Sequence, residues 1–283
     1  MRVTIVGAAG LLGKYLLREW TADKVRGVDL PEVDIRDPQL LDGIIGEARP
    51  HWIVLTAAYT DVDGCESHPD LAIETNCRGA INVAEAASRH GAKLMFISTD
   101  YVFDGTKTTP YETGDQRSPR SVYGRSKAEA EVGISKVLPN CCILRTSWLF
   151  GVGGKCFPDT ILKLATARPE LEVVNDQRGC PTYARDLARA IVQLCRANAE
   201  GIVHATNRGD CTWFEFASEI ARMARTKTVI RPTTSEKLVR PAERPKYSVL
   251  SNRSLDQRNI YMPTWQEAIQ DYLAERGPKE DTL

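Results

Sequence analysis

The sequence carries no net charge: its 37 Lys and Arg residues balance 37 Asp and Glu. With a pI near 6.9, no global field draws the chain toward nucleic acid or an anionic membrane. It also lacks any apolar run approaching the roughly 20 residues that cross a bilayer, so neither a nucleic-acid nor a membrane partner is expected. The start, Met1 to Gly7, reads as a strand entering a glycine loop rather than a signal peptide. Cys-x-x-Cys spacing is missing. Cys65, Cys77, Cys141, Cys142, Cys156, Cys180, Cys195 and Cys211 are scattered through segments with strand and helix patterns. Free buried thiols in a reducing cytoplasm are therefore expected, not a disulfide framework. Histidine is scarce, and His51, His68, His90 and His204 show no ligand spacing with one another or with cysteine, which argues against a metal site. At 283 residues the chain suits one elaborated domain or one large and one small unit.

What the sequence does contain begins at its first strand. The β-branched run Val3 to Val6 is followed by Gly7, Gly10 and Gly13 and then by helical periodicity from Lys14 to Trp20. In such a loop the first glycine allows a tight turn, the second lets backbone approach a pyrophosphate, and the third lets helix and strand pack closely. A second strand, Val25 to Val28, ends in Asp29, whose carboxylate can accept hydrogen bonds from an adenosine ribose. The same charge repels a 2′-phosphate and favours NAD over NADP, while Arg26 and Arg36 keep NADP open. The other reading of Asp29 is a cap on a strand end.

An amphipathic helix is expected over Asp37 to Glu47, and a strand over Trp52 to Thr56. The small residues of Ala57-Ala58-Tyr59-Thr60 let backbone lie along a cofactor, or serve packing alone. One long helix is expected from Pro69 to His90, stopped by Gly91, then a fourth strand over Lys93 to Ile97. This alternation predicts an α/β doubly wound parallel sheet of Rossmann type, with ligands beyond the carboxyl ends of its strands. Thr99 and Asp100 fall at such an end. Tyr123 and Lys127, four residues apart in a helical pattern, share one helix face. An adjacent cation favours the phenolate and brings a tyrosine toward acid or base work at neutral pH, as carbonyl reduction requires. Tyr-x-x-x-Lys is common alone; its place after the glycine loop, ribose acid and Thr99 makes it a catalytic candidate.

With these residues in order, the sequence resembles the extended short-chain dehydrogenase/reductases and, more narrowly, the dTDP-4-dehydrorhamnose reductase family, over nearly its whole length. The carriers are Ser98 to Gly105, Val122 to Lys127, Arg145-Thr-Ser-Trp148, Val174 to Thr182 and Arg244 to Asn252. The resemblance implies Tyr123 as proton donor, Lys127 as its electrostatic partner and ribose contact, and Thr99 as a hydroxyl at the substrate oxygen. It implies Gly10, Leu11, Leu12, Asp29, Asp34, Ile35, Ala58 and Thr60 around NADH or NADPH, and Asp100 and Trp148 against the sugar of a sugar nucleotide. Arg185 stands where some members carry a magnesium-binding glutamate, so a magnesium-bridged dimer is not expected; monomer or homodimer stays open. Gly151 to Lys155 also departs from the family's form. A dehydratase would carry a glutamate after Thr99-Asp100, where Tyr101 stands. A sugar-nucleotide epimerase and a non-catalytic subunit resembling methionine adenosyltransferase β are the alternatives.

Residues 1–150 are expected to form the dinucleotide-binding part and 151–283 a smaller C-terminal α/β substrate-binding part, with about 180–200 returning to the first. Helices are expected over Phe157 to Thr166, Tyr183 to Ala197 and Trp213 to Ala224, and strands over Glu172 to Val174 and Ile202 to Ala205. The basic, proline-rich stretch Ile230 to Asn252 reads as a loop that binds a pyrophosphate or as a solvated connection, and Gly277 to Leu283 as a frayed tail.

Overall fold

The computed structural model describes residues 1–277, and the tail from residue 278 lies outside the described residues. Strands β1 (Arg2–Val6), β2 (Lys24–Val28), β3 (Trp52–Leu55), β4 (Lys93–Thr99) and β5 (Cys142–Thr146) alternate with helices. These are α1 (Leu11–Glu19), α2 (Pro38–Ala48), α3 (Val62–Ser67), α4 (Pro69–Ile73), α5 (Ala80–Arg89) and α6 (Val122–Val137). The second half holds β6 (Leu149–Phe150), α7 (Phe157–Ala167), β7 (Glu170–Val174), β8 (Arg178–Gly179), β9 (Thr182–Tyr183) and α8 (Ala184–Arg196). It continues with β10 (Gly201–His204), β11 (Cys211–Thr212), α9 (Trp213–Met223), β12 (Val229–Thr233), α10 (Arg253–Asp256) and α11 (Trp265–Arg276).

The large sheet has six strands in the order β10-β5-β4-β3-β1-β2, and every adjacent pair runs parallel. A parallel sheet is covered on both faces, which is why β3 and β5 are buried at every position. Successive residues of each strand serve opposite layers. Val3, Ile5 and Val54 pack with Leu12, Leu16 and Ile191 of α1 and α8. Val6, Ile53 and Leu55 pack with Leu41, Ile45 and Val83 of α2 and α5. The chain leaves β1 in one direction to form β2 and returns past it to form β3, so the loops after β1 and β3 diverge and open a crevice there.

Several boundaries differ from the sequence expectations. The first helix starts at Leu11, inside the glycine segment, and the fourth strand runs on through Ser98 and Thr99. The helix expected over Pro69 to His90 is three pieces: α4, a π-helical turn at Glu74–Gly79, and α5. The π turn faces buried Asn76 toward the loop after β3, where its side chain accepts from Tyr59 N (2.7 Å) and donates to Tyr59 O (3.0 Å) and Ser126 Oγ (3.1 Å). The stretch expected as a loop from Ile230 begins instead as β12, paired in parallel with β7. β10 joins the main sheet beside β5. All eight cysteines are free and buried, and no helix among the described residues is long and apolar enough to cross a membrane.

Candidate active site

The crevice is a cleft of about 890 Å³, and every catalytic, dinucleotide and sugar candidate named from the sequence lines it. Gly7, Gly10, Leu11, Leu12 and Gly13 come from the β1 turn, Asp29, Asp34 and Ile35 from beyond β2, and Ala57, Ala58 and Thr60 from beyond β3. Thr99 ends β4 and Asp100 follows it, Tyr123 and Lys127 project from α6, and Trp148 follows β5.

The glycine turn is closed by backbone contacts. Gly7 has φ +95°, and a Cβ there would sit 2.4 Å from Ala57 N; at Gly13 it would sit 2.3 Å from Gly7 O. Asp29 Oδ2 accepts from Ala9 N (2.7 Å) and Oδ1 from Leu30 N (2.8 Å), so its carboxylate braces the turn at its own strand end. Of the two arginines flagged as possible phosphate contacts, Arg26 is tied away to Glu47 and Glu32. Arg36 lines the cleft, and its guanidinium holds the Asp34 carboxyl below its usual range.

At the far end, Ser121 caps α6 by accepting from Gly124 N (3.1 Å), which fixes Tyr123 and Lys127 one turn apart. Burial dominates both groups. It raises the Tyr123 phenol, against a pull downward from the Thr99 hydroxyl, and lowers the Lys127 ammonium to about 7, partly opposed by Glu131. Lys127 Nζ lies 4.0 Å from the Phe96 ring centroid. Desolvation favours the neutral form of each, and the downward pull on Tyr123 comes from Thr99 rather than from the expected Lys127. Asp100 is 2% exposed, its carboxyl is pushed up to about 7 by burial, and its Oδ2 has no hydrogen-bond partner among the described residues.

Sequence reasoning missed Glu131. It is fully buried one turn beyond Lys127, accepting from Ser98 Oγ (2.6 Å), Arg145 Nε (2.9 Å) and Nη2 (2.6 Å), and Arg117 Nη1 (2.9 Å). Burial pushes its carboxyl up, but Arg145 and these donors hold it below its usual range. The signal was present: Tyr123, Lys127 and Glu131 repeat every four residues on one helix face. Trp213 was missed too. It stacks on Trp148 with centroids 3.5 Å apart and planes at 8°. Phe157 and Trp213 also line a second cavity of about 1140 Å³, walled by Leu238 to Lys246. That segment is anchored across the cleft to α3, where Arg244 Nη1 and Nη2 reach Asp63 at 3.0 and 2.9 Å.

A parallel doubly wound sheet with this glycine turn and a Thr, Tyr and Lys gathered at its strand ends defines an extended short-chain dehydrogenase/reductase. Within that class the chain belongs to the family described as the RmlD substrate binding domain, whose model matches residues 1–277. It is 39% identical over 278 residues to the spore coat polysaccharide biosynthesis protein SpsK of Bacillus subtilis, covering 98% of each chain. It is 39% identical over 258 residues to a dTDP-4-dehydrorhamnose reductase of Streptomyces griseus, covering 88% of this chain and 85% of that one. A solved dTDP-4-dehydrorhamnose reductase of Bacillus anthracis, in complex with NADP, superposes with a TM-score of 0.95 at 39% identity, covering 97% of this chain and 99% of that one.

Proposed function

We propose that this protein reduces the 4-keto group of a dTDP-linked 6-deoxysugar, dTDP-4-dehydrorhamnose, to the alcohol. The observation that carries the reading is the gathering of Thr99, Tyr123 and Lys127 at the strand ends, in one cleft with the glycine turn. The residues present fit a nicotinamide dinucleotide: no side chain projects from Gly7, Gly10 or Gly13, and the first turn of α1 faces the same space. Such a cofactor supplies a hydride to the keto carbon. Thr99 holds the keto oxygen by a hydrogen bond, and Tyr123, which burial keeps protonated, gives its proton to the developing alkoxide. Lys127, in its protonated form, would contact the ribose and balance the charge left as the phenol gives up its proton. The stacked Trp148 and Trp213 offer an apolar wall to the deoxysugar, and the Leu238 to Lys246 segment takes the pyrophosphate side.

NADH is favoured over NADPH because the Asp29 carboxylate is fixed at the end of β2; Arg36, paired with Asp34, is the cation that lets NADPH serve as well. Arg185 is engaged with Asp271, and a magnesium-bridged dimer through that position forms no part of this reading. We divide the chain functionally into residues 1–150 with about 180–200 for the dinucleotide and the remainder for the sugar nucleotide, acting in the cytoplasm. The test is absorbance at the reduced-nicotinamide band with dTDP-4-dehydrorhamnose, run with NADH and with NADPH. One-for-one consumption of cofactor is expected. An epimerase would recycle its cofactor and show none, and a regulatory subunit would bind cofactor without turnover.

A further inference from the structure

Thr99 has one hydroxyl proton and two lone-pair sites. Tyr101 N donates to its Oγ1 at 3.2 Å, Asp100 Oδ1 lies 3.1 Å from the same atom, and the hydroxyl also reaches the Tyr123 phenol. An ionised carboxylate can only accept, so against an ionised Asp100 the threonine's single proton points at Oδ1. Nothing is then left to hold a substrate oxygen. A protonated Asp100 reverses this bond: the acid donates to Thr99 Oγ1, whose lone pairs are filled by Tyr101 N and Asp100, and the threonine's proton turns to the keto oxygen.

We infer that Asp100 is a positioning residue that works as a neutral acid, donating through Oδ1 to Thr99 and leaving Oδ2 to accept a hydroxyl beside the keto carbon. This rests on the reductase reading above and adds the direction of one hydrogen bond to it. The surroundings carry the same conclusion. Asp100 is buried, and its Oδ2 is orphaned among the described residues while lining the cleft. An unpaired buried charge is strongly disfavoured, whereas the neutral acid leaves a carbonyl oxygen ready for a sugar hydroxyl. The groups facing Asp100 are the Ser248 and Thr99 hydroxyls and the backbone amides of Asp100 and Tyr101, whose hydrogen bonds favour the ionised form but are outweighed by burial, together with the Tyr101, Tyr123 and Cys180 side chains. None of these is a cation. Arg244, which acts on Tyr101, is committed to Asp63.

The experiment measures kcat against pH for the wild type, Asp100→Asn and Asp100→Ala, with a carboxyl infrared band as a readout that needs no substrate. The asparagine amide donates permanently to Thr99 and presents its oxygen where Oδ2 stands, so it mimics the acid. The ratio of Asp100→Asn to wild-type kcat cancels the titration of Lys127, which both proteins share, and reports the Asp100 charge together with its effect on Tyr123. That ratio is expected to be flat at low pH and to rise about tenfold per unit once Asp100 ionises. Asp100→Ala is expected to lose roughly 100-fold relative to Asp100→Asn at every pH. The wild type is also expected to show a neutral-carboxyl band at mildly acidic pH that Asp100→Asn lacks. A flat ratio throughout, an Asp100→Asn variant as inactive as Asp100→Ala, or absence of the band overturns the inference. Presence of the band without turnover on a keto sugar upholds the hydrogen-bond direction and overturns the reductase reading instead.

Discussion

Tyr123 and Lys127 stand four residues apart, yet their chemistry is set by depth rather than by each other. Burial raises the phenol and brings the ammonium down to about 7. A tyrosine that holds its proton suits a donor in reduction, and it needs help from its neighbours only when charge develops on the substrate oxygen. Tyr123→Phe is expected to leave dinucleotide binding within about twofold while kcat falls roughly 100- to 10,000-fold. Fluorescence titration of the cofactor alongside steady-state rates checks both halves. Unchanged turnover in that variant rejects the proton-donor role. At Gly179 a Cβ would lie 2.6 Å from Trp148 Cε2. Gly179→Ala therefore displaces the indole from its stack, and is expected to raise KM for the sugar nucleotide about tenfold while KM for the cofactor holds.

At the scale of elements, α6 presents Tyr123 and Lys127 to the cleft and Glu131 to the interior, where Arg145 of β5 is 1% exposed. The ion pair ties the helix to the sheet. Removing one partner strands the other, so Glu131→Ala is expected to destabilise the fold by about 3–5 kcal/mol, read as a lower urea midpoint. This is also where the limits of sequence reading show. Binary pattern revealed the strands and helices of the doubly wound sheet, since a parallel sheet buried on both faces gives short unbroken apolar runs such as Trp52 to Leu55. The depth of Lys127, Glu131 and Arg145 is not written in their residue types, which are usually exposed. Only tertiary packing of α6 against β4 and β5 buries them. The π turn at Glu74–Gly79 was equally hidden, because its cause is a contact between Asn76 and Tyr59 across 17 residues. The glycine turn, Asp29, Thr99 and the Tyr-Lys pair were legible because turn chemistry and helical spacing are local. The Trp148–Trp213 stack joins residues far apart in sequence, and the sequence pattern marked only the first.

For the whole molecule, two consequences follow from its electrostatics. Asp100, an isolated buried acid with its carboxyl raised to about 7, contributes stability that is complete below about pH 4, where both folded and unfolded chains are protonated. That contribution is lost as pH rises through about 7, because the folded protein must then bury a charge the unfolded chain solvates. Asp100→Asn is expected to match the wild type near pH 4 and to exceed it by on the order of 2–4 kcal/mol above pH 7, measured by urea unfolding across pH. The Leu238 to Lys246 segment, clasped to α3 by Arg244 and Asp63, closes the space proposed for the sugar nucleotide. Asp63→Asn weakens that clasp. It is expected to raise KM for the sugar nucleotide roughly tenfold with little change in kcat.

In the proposed reaction hydride passes to a keto carbon held between Thr99 and Tyr123. The most direct measurement incubates the protein with dTDP-4-dehydrorhamnose and NADH carrying deuterium at C4 of the nicotinamide, followed by NMR of the sugar product. Deuterium at the sugar C4 with none at the adjacent carbons is the expected result. A product without label, or label acquired only from deuterated solvent beside the carbonyl, contradicts the account.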